Sequence, residues 1–264
     1  MNDKKISFII CTNNEFYMKE CRFYLEELIV PEGYEMDILE IKGATSMTSG
    51  YNTGMRSSDA KYKVYLHQDV FIRNRNFIGD LLDIFQKDEK IGLVGLVGTP
   101  YMCKNGVMWR GVRYGGFYKL DEYVEKGFIR RFFPIHHGYL EVEAVDGLLM
   151  ATQYDIPWRE DIFKKWDFYD VSQCFSFLDA GYKVVVPGQE SDWYFHDCGT
   201  LNLSNYEGER EILIREYAHR MKKRQNEKWA VHWENVRKTI EEGFHGPEEE
   251  KQQLLTYLET MRAE

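Results

Sequence analysis

Four short stretches of this sequence carry the polar side chains that bind nucleotides, hold metal ions or move protons. The first stretch is residues 12–15, TNNE, which directly follow the apolar run at residues 6–11. A polar turn after a buried strand can present side-chain amides, backbone N–H groups and a helix N-terminus to a nucleotide. The same residues would also serve as an ordinary helix cap and turn, since Asn is a favoured capping residue.

The second stretch is residues 67–69, HQD, after the apolar run at residues 62–66. An acidic residue at the end of a strand can hold a hard divalent cation that bridges a diphosphate. His67 could add an imidazole ligand or a hydrogen bond. The structural alternative is that Asp69 only caps the following turn.

The third stretch is residues 166–170, WDFYD, where a helix is predicted to begin. The helix macrodipole stabilises a carboxylate at this position, so the pKa of Asp170 is expected to fall. That expectation favours simple capping. The alternative is an aromatic-framed wall that faces a sugar and contains a general base.

The fourth stretch contains His196, which lies in a predicted loop beside Asp197. A loop histidine next to a carboxylate can be a metal ligand, although a single histidine is more often structural.

Asp146, followed by a glycine, ends a predicted strand. A tight turn would explain an aspartate at this position, and a contact with the substrate would explain it too.

The composition limits the partners of the chain. It has 264 residues and a formal net charge of -9, which argues against nucleic acid because phosphate binding needs a basic field. No stretch approaches the roughly 20 apolar residues of a membrane span. The five cysteines include no CxxC pair, which indicates reduced thiols rather than a disulfide framework or a structural zinc site. We therefore expect a cytoplasmic protein with no membrane span.

Strand-like and helix-like segments alternate along the first half of the chain. Strands are predicted at residues 6–11, 35–41, 62–66 and 91–97, and helices at residues 15–28, 46–57 and 75–87. Later segments are predicted strands at residues 139–145 and 182–186 and a helix at residues 170–180. This order predicts βαβ units and an α/β fold with a mainly parallel sheet. The stretch at residues 101–139 is rich in glycine and aromatic residues and is a natural place for a lid.

From residue 206 onward the pattern is helical, which predicts a domain at residues 1–205 and a C-terminal helical extension at residues 206–264. The extension carries an apolar stripe, Trp229, Trp233, Val236 and Ile240. The stripe needs a partner surface, and the default is the protein's own first domain. A homodimer through the C-terminal helices is the alternative; a membrane surface fits poorly, since glutamates are interspersed with the basic residues.

The polar stretches belong to an ordered set of motifs. They are found at residues 9–15, 50–55, 65–70, 145–152, 168–171, 181–186 and 193–199. Over about residues 5–217 the chain resembles GT-A glycosyltransferases of the family-2 type, and most of all the StrF-type glycosyltransferase-like domains of streptomycin biosynthesis.

The resemblance implies transfer of a sugar from a nucleotide-diphosphate donor, most simply a UDP-sugar, to an acceptor hydroxyl, with inversion and with Mn²⁺ or Mg²⁺. It implies these nucleotide-sugar-binding residues: Thr12, Asn13, Glu15, Asn52, Gln68, Asp69 and Asp146. It implies that Asp69 binds the metal ion together with His196. It implies that Asp170 is the general base.

Two positions depart from the family pattern. The DxD element reads HQD, and the Glu-Asp pair reads Tyr169–Asp170. One carboxylate makes a weaker cation site than two. The alternative function is therefore a catalytically weak sugar-nucleotide or glycan-binding protein on the same fold. A nucleotidyltransferase ranks lower, because no glycine-rich basic loop for a triphosphate lies near residue 12.

Overall fold

The elements of the fold are taken from a computed structural model that describes residues 1–102, 105–116, 133–190, 193–197, 203–220 and 229–263. The strands are β1 (Asn2–Thr12), β2 (Glu35–Lys42), β3 (Ala60–Leu66), β4 (Val70–Ile72), β5 (Ile91–Gly95), β6 (Val97–Thr99), β7 (Tyr114–Gly115), β8 (Tyr139–Glu141), β9 (Ala144–Val145), β10 (Leu149–Thr152), β11 (Lys183–Pro187), β12 (Tyr194–His196) and β13 (Phe244–His245). The helices are α1 (Glu15–Glu26), α2 (Met47–Ser57), α3 (Phe77–Lys87), α4 (Tyr169–Asp179), α5 (Tyr206–Glu216), α6 (Trp229–Gly243) and α7 (Glu248–Ala263). Much of the predicted lid, at residues 103–104 and 117–132, lies outside the described residues, as does the side chain of Trp229.

A central eight-stranded sheet organises the molecule. Its strand order is β13-β8-β11-β5-β10-β3-β1-β2. Because only β8 and β10 are antiparallel to their neighbours, six of the eight strands point the same way. The predicted α/β fold with a mainly parallel sheet is confirmed. Strand β10 was not predicted; it lies between β3 and β5 and splits the parallel strands into two groups.

Helices cover both faces of this sheet, as the side-chain alternation of the strands requires. In β1, Phe8 and Ile10 join the core that contains α1 and α3. Ile9 faces the opposite side and joins the core that contains α2, α4 and the C-terminal helices. Each central strand is therefore buried on both faces, which explains its almost continuous apolar sequence.

Helix α2 lies unusually close to β1. A Cβ atom on Gly50 would lie 2.3 Å from Cys11 Sγ, and one on Gly54 would lie 2.3 Å from Ile9 Cγ2. The two glycines weaken the helix signal in the sequence, yet the helix forms, with a capping box between Ser46 and Ser49 at its start. Its glycines allow the helix backbone to approach the strand.

The C-terminal segment packs on the rest of the chain. Strand β13 pairs with β8 in the central sheet. Trp233, Val236 and Ile240 are buried in the core that contains Ile9, so the described part of the apolar stripe is covered by its own chain. The domain boundary at residue 205 and a homodimer through the C-terminal helices remain predictions.

Within the described ranges, no helix is long and apolar enough to cross a bilayer. The described cysteines, Cys11, Cys21 and Cys174, have free thiols.

Replacing Gly54 by Ala should lower the free energy of unfolding by about 1–3 kcal/mol, because the new methyl group must push α2 away from Ile9. Gly208 on α5 is the matched control, since a Cβ there meets nothing within 4 Å. Gly208→Ala should stabilise the protein by up to about 1 kcal/mol through helix propensity. Urea unfolding of the two variants measures both effects; equal effects would show that α2 can move away from β1 without cost.

Candidate active site

The candidate site lies at the carboxyl ends of β1 and β3. Because β10 runs antiparallel to β3, with Leu149 opposite Leu66, the turn before β10 reaches the same edge of the sheet. The N–H of His67 donates to the carbonyl oxygen of Leu148 over 3.0 Å. Residues 12–15, 67–69 and 146–148 therefore meet at one edge.

Gln68 joins the ends of β1 and β3. Its Oε1 accepts hydrogen bonds from the Thr12 hydroxyl (2.9 Å) and from the N–H groups of Asn13 and Asn14 (3.0 Å each). Its Nε2 donates to Asn13 Oδ1 over 2.7 Å. The side chain thus fixes the loop that leads into α1, and Asn14 caps that helix. In the structure Gln68 orders the predicted nucleotide-binding loop.

Three side chains are close enough to hold one metal ion. His67, Asp69 and His196 each offer a ligand atom, and these atoms lie within 4.8 Å of one another. His196 Nε2 is 3.5 Å from Asp69 Oδ1. The short antiparallel pair β4–β12 brings them together by placing His196 opposite Val70. The two residues predicted to bind metal, Asp69 and His196, are therefore neighbours, and His67 completes the group.

The protonation states of this group suit a cation. Burial lowers the pKa of His67 to about 4, more than the nearby Asp69 charge raises it. Burial acts to raise the pKa of the Asp69 carboxyl, but the hydrogen bond and charge of His196 outweigh it, so that pKa lies below its usual value. At neutral pH the group offers a neutral imidazole at His67 and a carboxylate at Asp69. Both are the forms that bind metals.

Asp170 lies in the first turn of α4 and is half-buried. Its Oδ2 accepts the Gly147 N–H over 3.0 Å, and its Oδ1 accepts the Val171 N–H over 2.8 Å. The prediction that the macrodipole lowers the pKa of Asp170 is wrong. Burial, followed by the charge of Asp146, raises this pKa to about 7 despite the two N–H bonds. A carboxyl that titrates near neutral pH is suited to general-base chemistry.

Tyr169, the residue before Asp170, contacts the metal-binding group. Its hydroxyl is hydrogen-bonded to His67 Nε2. The tyrosine ring occupies the space above Gly147, where a Cβ atom would lie 2.2 Å from the Tyr169 hydroxyl oxygen. From the sequence, Tyr169 is only one aromatic residue of the WDFYD stretch and a departure from the family's Glu-Asp pair; its contact with His67 is not predicted.

The other residues predicted to bind the donor, Asp146, Glu15 and Asn52, make different contacts. Asp146 forms a turn in which its Oδ1 accepts the Leu148 N–H over 3.0 Å. Glu15 is exposed and pairs with Lys42 over 2.7 Å. Asn52 is buried. Its Nδ2 donates to the Trp158 carbonyl oxygen over 2.8 Å, and its Oδ1 accepts the Trp158 N–H over 2.9 Å. In this structure Asn52 therefore holds a neighbouring loop.

The sequence matches the glycosyltransferase-like family over residues 7–217. This match covers most of the chain, and the chain belongs to that family. A comparison with curated protein sequences finds no significant match.

Solved structures share the fold. TarS from S. aureus aligns with a TM-score of 0.51 at 10% identity, over 89% of this chain and 43% of TarS. TarS 1–349 in complex with UDP-GlcNAc aligns with a TM-score of 0.50 at 10% identity, over 96% of this chain and 71% of that chain. The chain thus spans less than half the length of the longer TarS chain. The similarity confirms the predicted GT-A fold.

Asp69→Asn should weaken Mn²⁺ binding by more than about ten-fold, because even the loss of a residue that supports a ligand costs about 10–100-fold. Calorimetry with Mn²⁺, with and without UDP, measures the affinity. The control is Asp59→Asn, which changes an exposed carboxylate before the opposite end of β3. If Asp69→Asn binds Mn²⁺ as the wild type does, Asp69 is not a ligand.

Proposed function

We propose that this protein is an inverting, metal-assisted glycosyltransferase that moves a sugar from a UDP-linked donor to an acceptor hydroxyl. The observation that carries the proposal is that the group of His67, Asp69 and His196 lies at the same sheet edge as Asp170: His67 is hydrogen-bonded to Tyr169, the residue before Asp170, and the Asp170 carboxyl accepts the Gly147 N–H from the turn beside His67. A charge-stabilising group beside a carboxyl base is what this reaction needs. Family membership supports the proposal.

The donor nucleotide would lie at the end of β1. Thr12 and Asn13 stand there at the carboxyl end of a parallel strand, where ligands bind in open α/β sheets. The loop is already ordered by Gln68, so little conformational entropy is lost when a ligand binds. Glu15, Asn52 and Asp146 are assigned to donor binding by the sequence resemblance alone.

His67, Asp69 and His196 would hold the metal ion. Two imidazole nitrogens beside one carboxylate are a better donor set for Mn²⁺ than for Mg²⁺, which prefers oxygen ligands. When bound, a divalent cation supplies positive charge that stabilises the departing diphosphate. The partly buried His67 stays neutral at the pH of the reaction, because burial lowers its pKa to about 4, so it is available as a ligand.

Asp170 would take the proton of the acceptor hydroxyl. Its Oδ2 is held by the Gly147 N–H, which orients the carboxylate. Its raised pKa makes it a stronger base than an exposed aspartate. Positioned general-base catalysis of this kind contributes about 10²–10⁴ in rate.

Two narrower parts of the proposal rest on sequence patterns alone. They are the particular resemblance to StrF-type domains and a cytoplasmic location.

UDP-GlcNAc tests the function, because a protein of the same fold, TarS, has been solved in complex with it. With Mn²⁺, UDP and UDP-GlcNAc should raise the unfolding temperature, since a ligand at about 100 times its Kd adds about 2.7 kcal/mol of stability. UDP should then be released slowly, with water as the acceptor. Stabilisation without any UDP release, for this and other sugar nucleotides, would favour the binding-protein alternative; no stabilisation by either compound would contradict a UDP-linked donor.

Asp170→Asn should lower kcat for UDP release by about 10²–10⁴-fold and leave the Kd for UDP nearly unchanged. In the wild type, kcat should rise with pH and reach half its maximum near pH 7, because the base is protonated below its pKa of about 7. Asp167→Asn is the control, since burial and the charge of Glu209 raise the pKa of that neighbouring carboxyl to about 6. Equal losses in both variants, or a kcat independent of pH, would exclude Asp170 as the base.

A further inference from the structure

Glu209 on α5 is a buried carboxylate, 3% exposed, that binds three backbone N–H groups of one loop. Its Oε1 accepts hydrogen bonds from the Lys164 and Lys165 N–H groups, each over 2.9 Å. Its Oε2 accepts the Asp167 N–H over 3.2 Å. This loop leads directly into α4 and Asp170.

These hydrogen bonds are strong because the Glu209 carboxylate and the loop N–H groups each need a partner. A buried carboxylate is costly unless it is hydrogen-bonded, and the N–H groups of an irregular loop need acceptors when water is excluded. Hydrogen bonds to an ionised acceptor are roughly twice as strong as neutral ones. Glu209 therefore fixes the path of the loop.

The residue after this loop has a strained backbone. Phe168 has φ 56 and ψ 5, the one positive φ outside glycine in the part of the chain that the structure describes. A bulky residue keeps this conformation only where its surroundings enforce it. Helix α5 contacts the strained residue and the residue before it: Glu209 binds the N–H of Asp167, and the ring centroids of Tyr206 and Phe168 lie 4.7 Å apart.

We propose that Glu209 is a positioning residue for the reaction: it holds the backbone turn that aims the first turn of α4, and with it Asp170, at the acceptor. Asp170 is two residues beyond the strained Phe168, so a change in this turn rotates the start of α4. The proposal rests on the proposed function for Asp170, and it gives the C-terminal segment a part in the active site.

Glu250 on α7 provides a matched control. It is also buried, 5% exposed, and it accepts the N–H groups of His136 and His137, the latter over 3.0 Å. These histidines precede β8, which lies four strands from β3 in the sheet order. The two glutamates thus make the same kind of interaction, but only Glu209 makes it beside Asp170.

The variant Glu209→Gln tests whether Glu209 positions Asp170 or only stabilises the fold. The glutamine keeps one carbonyl acceptor for Lys164 and Lys165, but its NH₂ group cannot accept the Asp167 N–H. We expect kcat for UDP release from UDP-GlcNAc with Mn²⁺ to fall about ten-fold or more, since a misplacement of about 1 Å can cost 10²-fold. The Kd for UDP should stay within about two-fold of the wild type. Glu250→Gln should lower the unfolding temperature to a similar extent but keep kcat within about two-fold.

A second measurement does not depend on activity. Gly147 donates its N–H to Asp170 Oδ2, so its amide NMR signal reports the position of that carboxyl. The signal should shift in Glu209→Gln and stay in place in Glu250→Gln. Should Glu209→Gln fail to fold, Tyr206→Leu, which removes the ring contact with Phe168, should shift the same signal and lower kcat.

The results that overturn the proposal are an unmoved Gly147 signal, or a kcat that Glu209→Gln changes no more than Glu250→Gln does. A wild type that releases no UDP would instead contradict the proposed function, and the Gly147 signal would then decide by itself whether Glu209 positions Asp170.

Discussion

The site depends on the reversed direction of one central strand. If β10 ran parallel to β3, the turn at residues 146–148 would lie at the opposite edge of the sheet. Because β10 is antiparallel, that turn lies beside His67, and the Gly147 N–H reaches Asp170. The ladder that fixes this direction is fully buried on both strands, where an unpaired N–H or carbonyl group would be costly. The hydrogen bonds of a core strand therefore set the position of the turn that contacts Asp170.

The sequence predicts the elements that hold the site better than the contacts within it. Strands β1, β2 and β3 and helices α1, α2 and α3 appear close to their predicted ranges because their apolar periodicity is strong, whereas the three-residue strand β4 was not predicted. The sequence does not predict strand β10, because its two neighbours in the sheet, β3 and β5, are each more than 50 residues away in the chain. Asp69 and His196 are 127 residues apart in the sequence, and this spacing does not predict that they are neighbours. The three-residue pairing of β4 with β12 brings them together.

The electrostatics of the site depend on burial, which local sequence does not report. The position of Asp170 in the first turn of a helix indicates a lowered pKa, yet desolvation and the nearby Asp146 raise it. The two residues that depart from the family pattern, His67 and Tyr169, are hydrogen-bonded to each other. A carboxylate at both positions would place two negative charges in contact, whereas imidazole and phenol form a neutral bond. The departures are therefore physically coupled, and changing either one alone would leave a buried polar atom without its partner.

The pairing of β13 with β8 has a consequence for how the chain folds during synthesis. Residues 244–245 supply the outer partner of a strand made about a hundred residues earlier, so β8 lacks this partner until residues 244–245 have left the ribosome. An open strand edge is a template for pairing with other chains, and slow long-range pairing prolongs that exposure. A chain truncated before residue 244 would lack this partner of β8. The pairing with β13 therefore covers a strand edge of β8 that could otherwise pair with another chain.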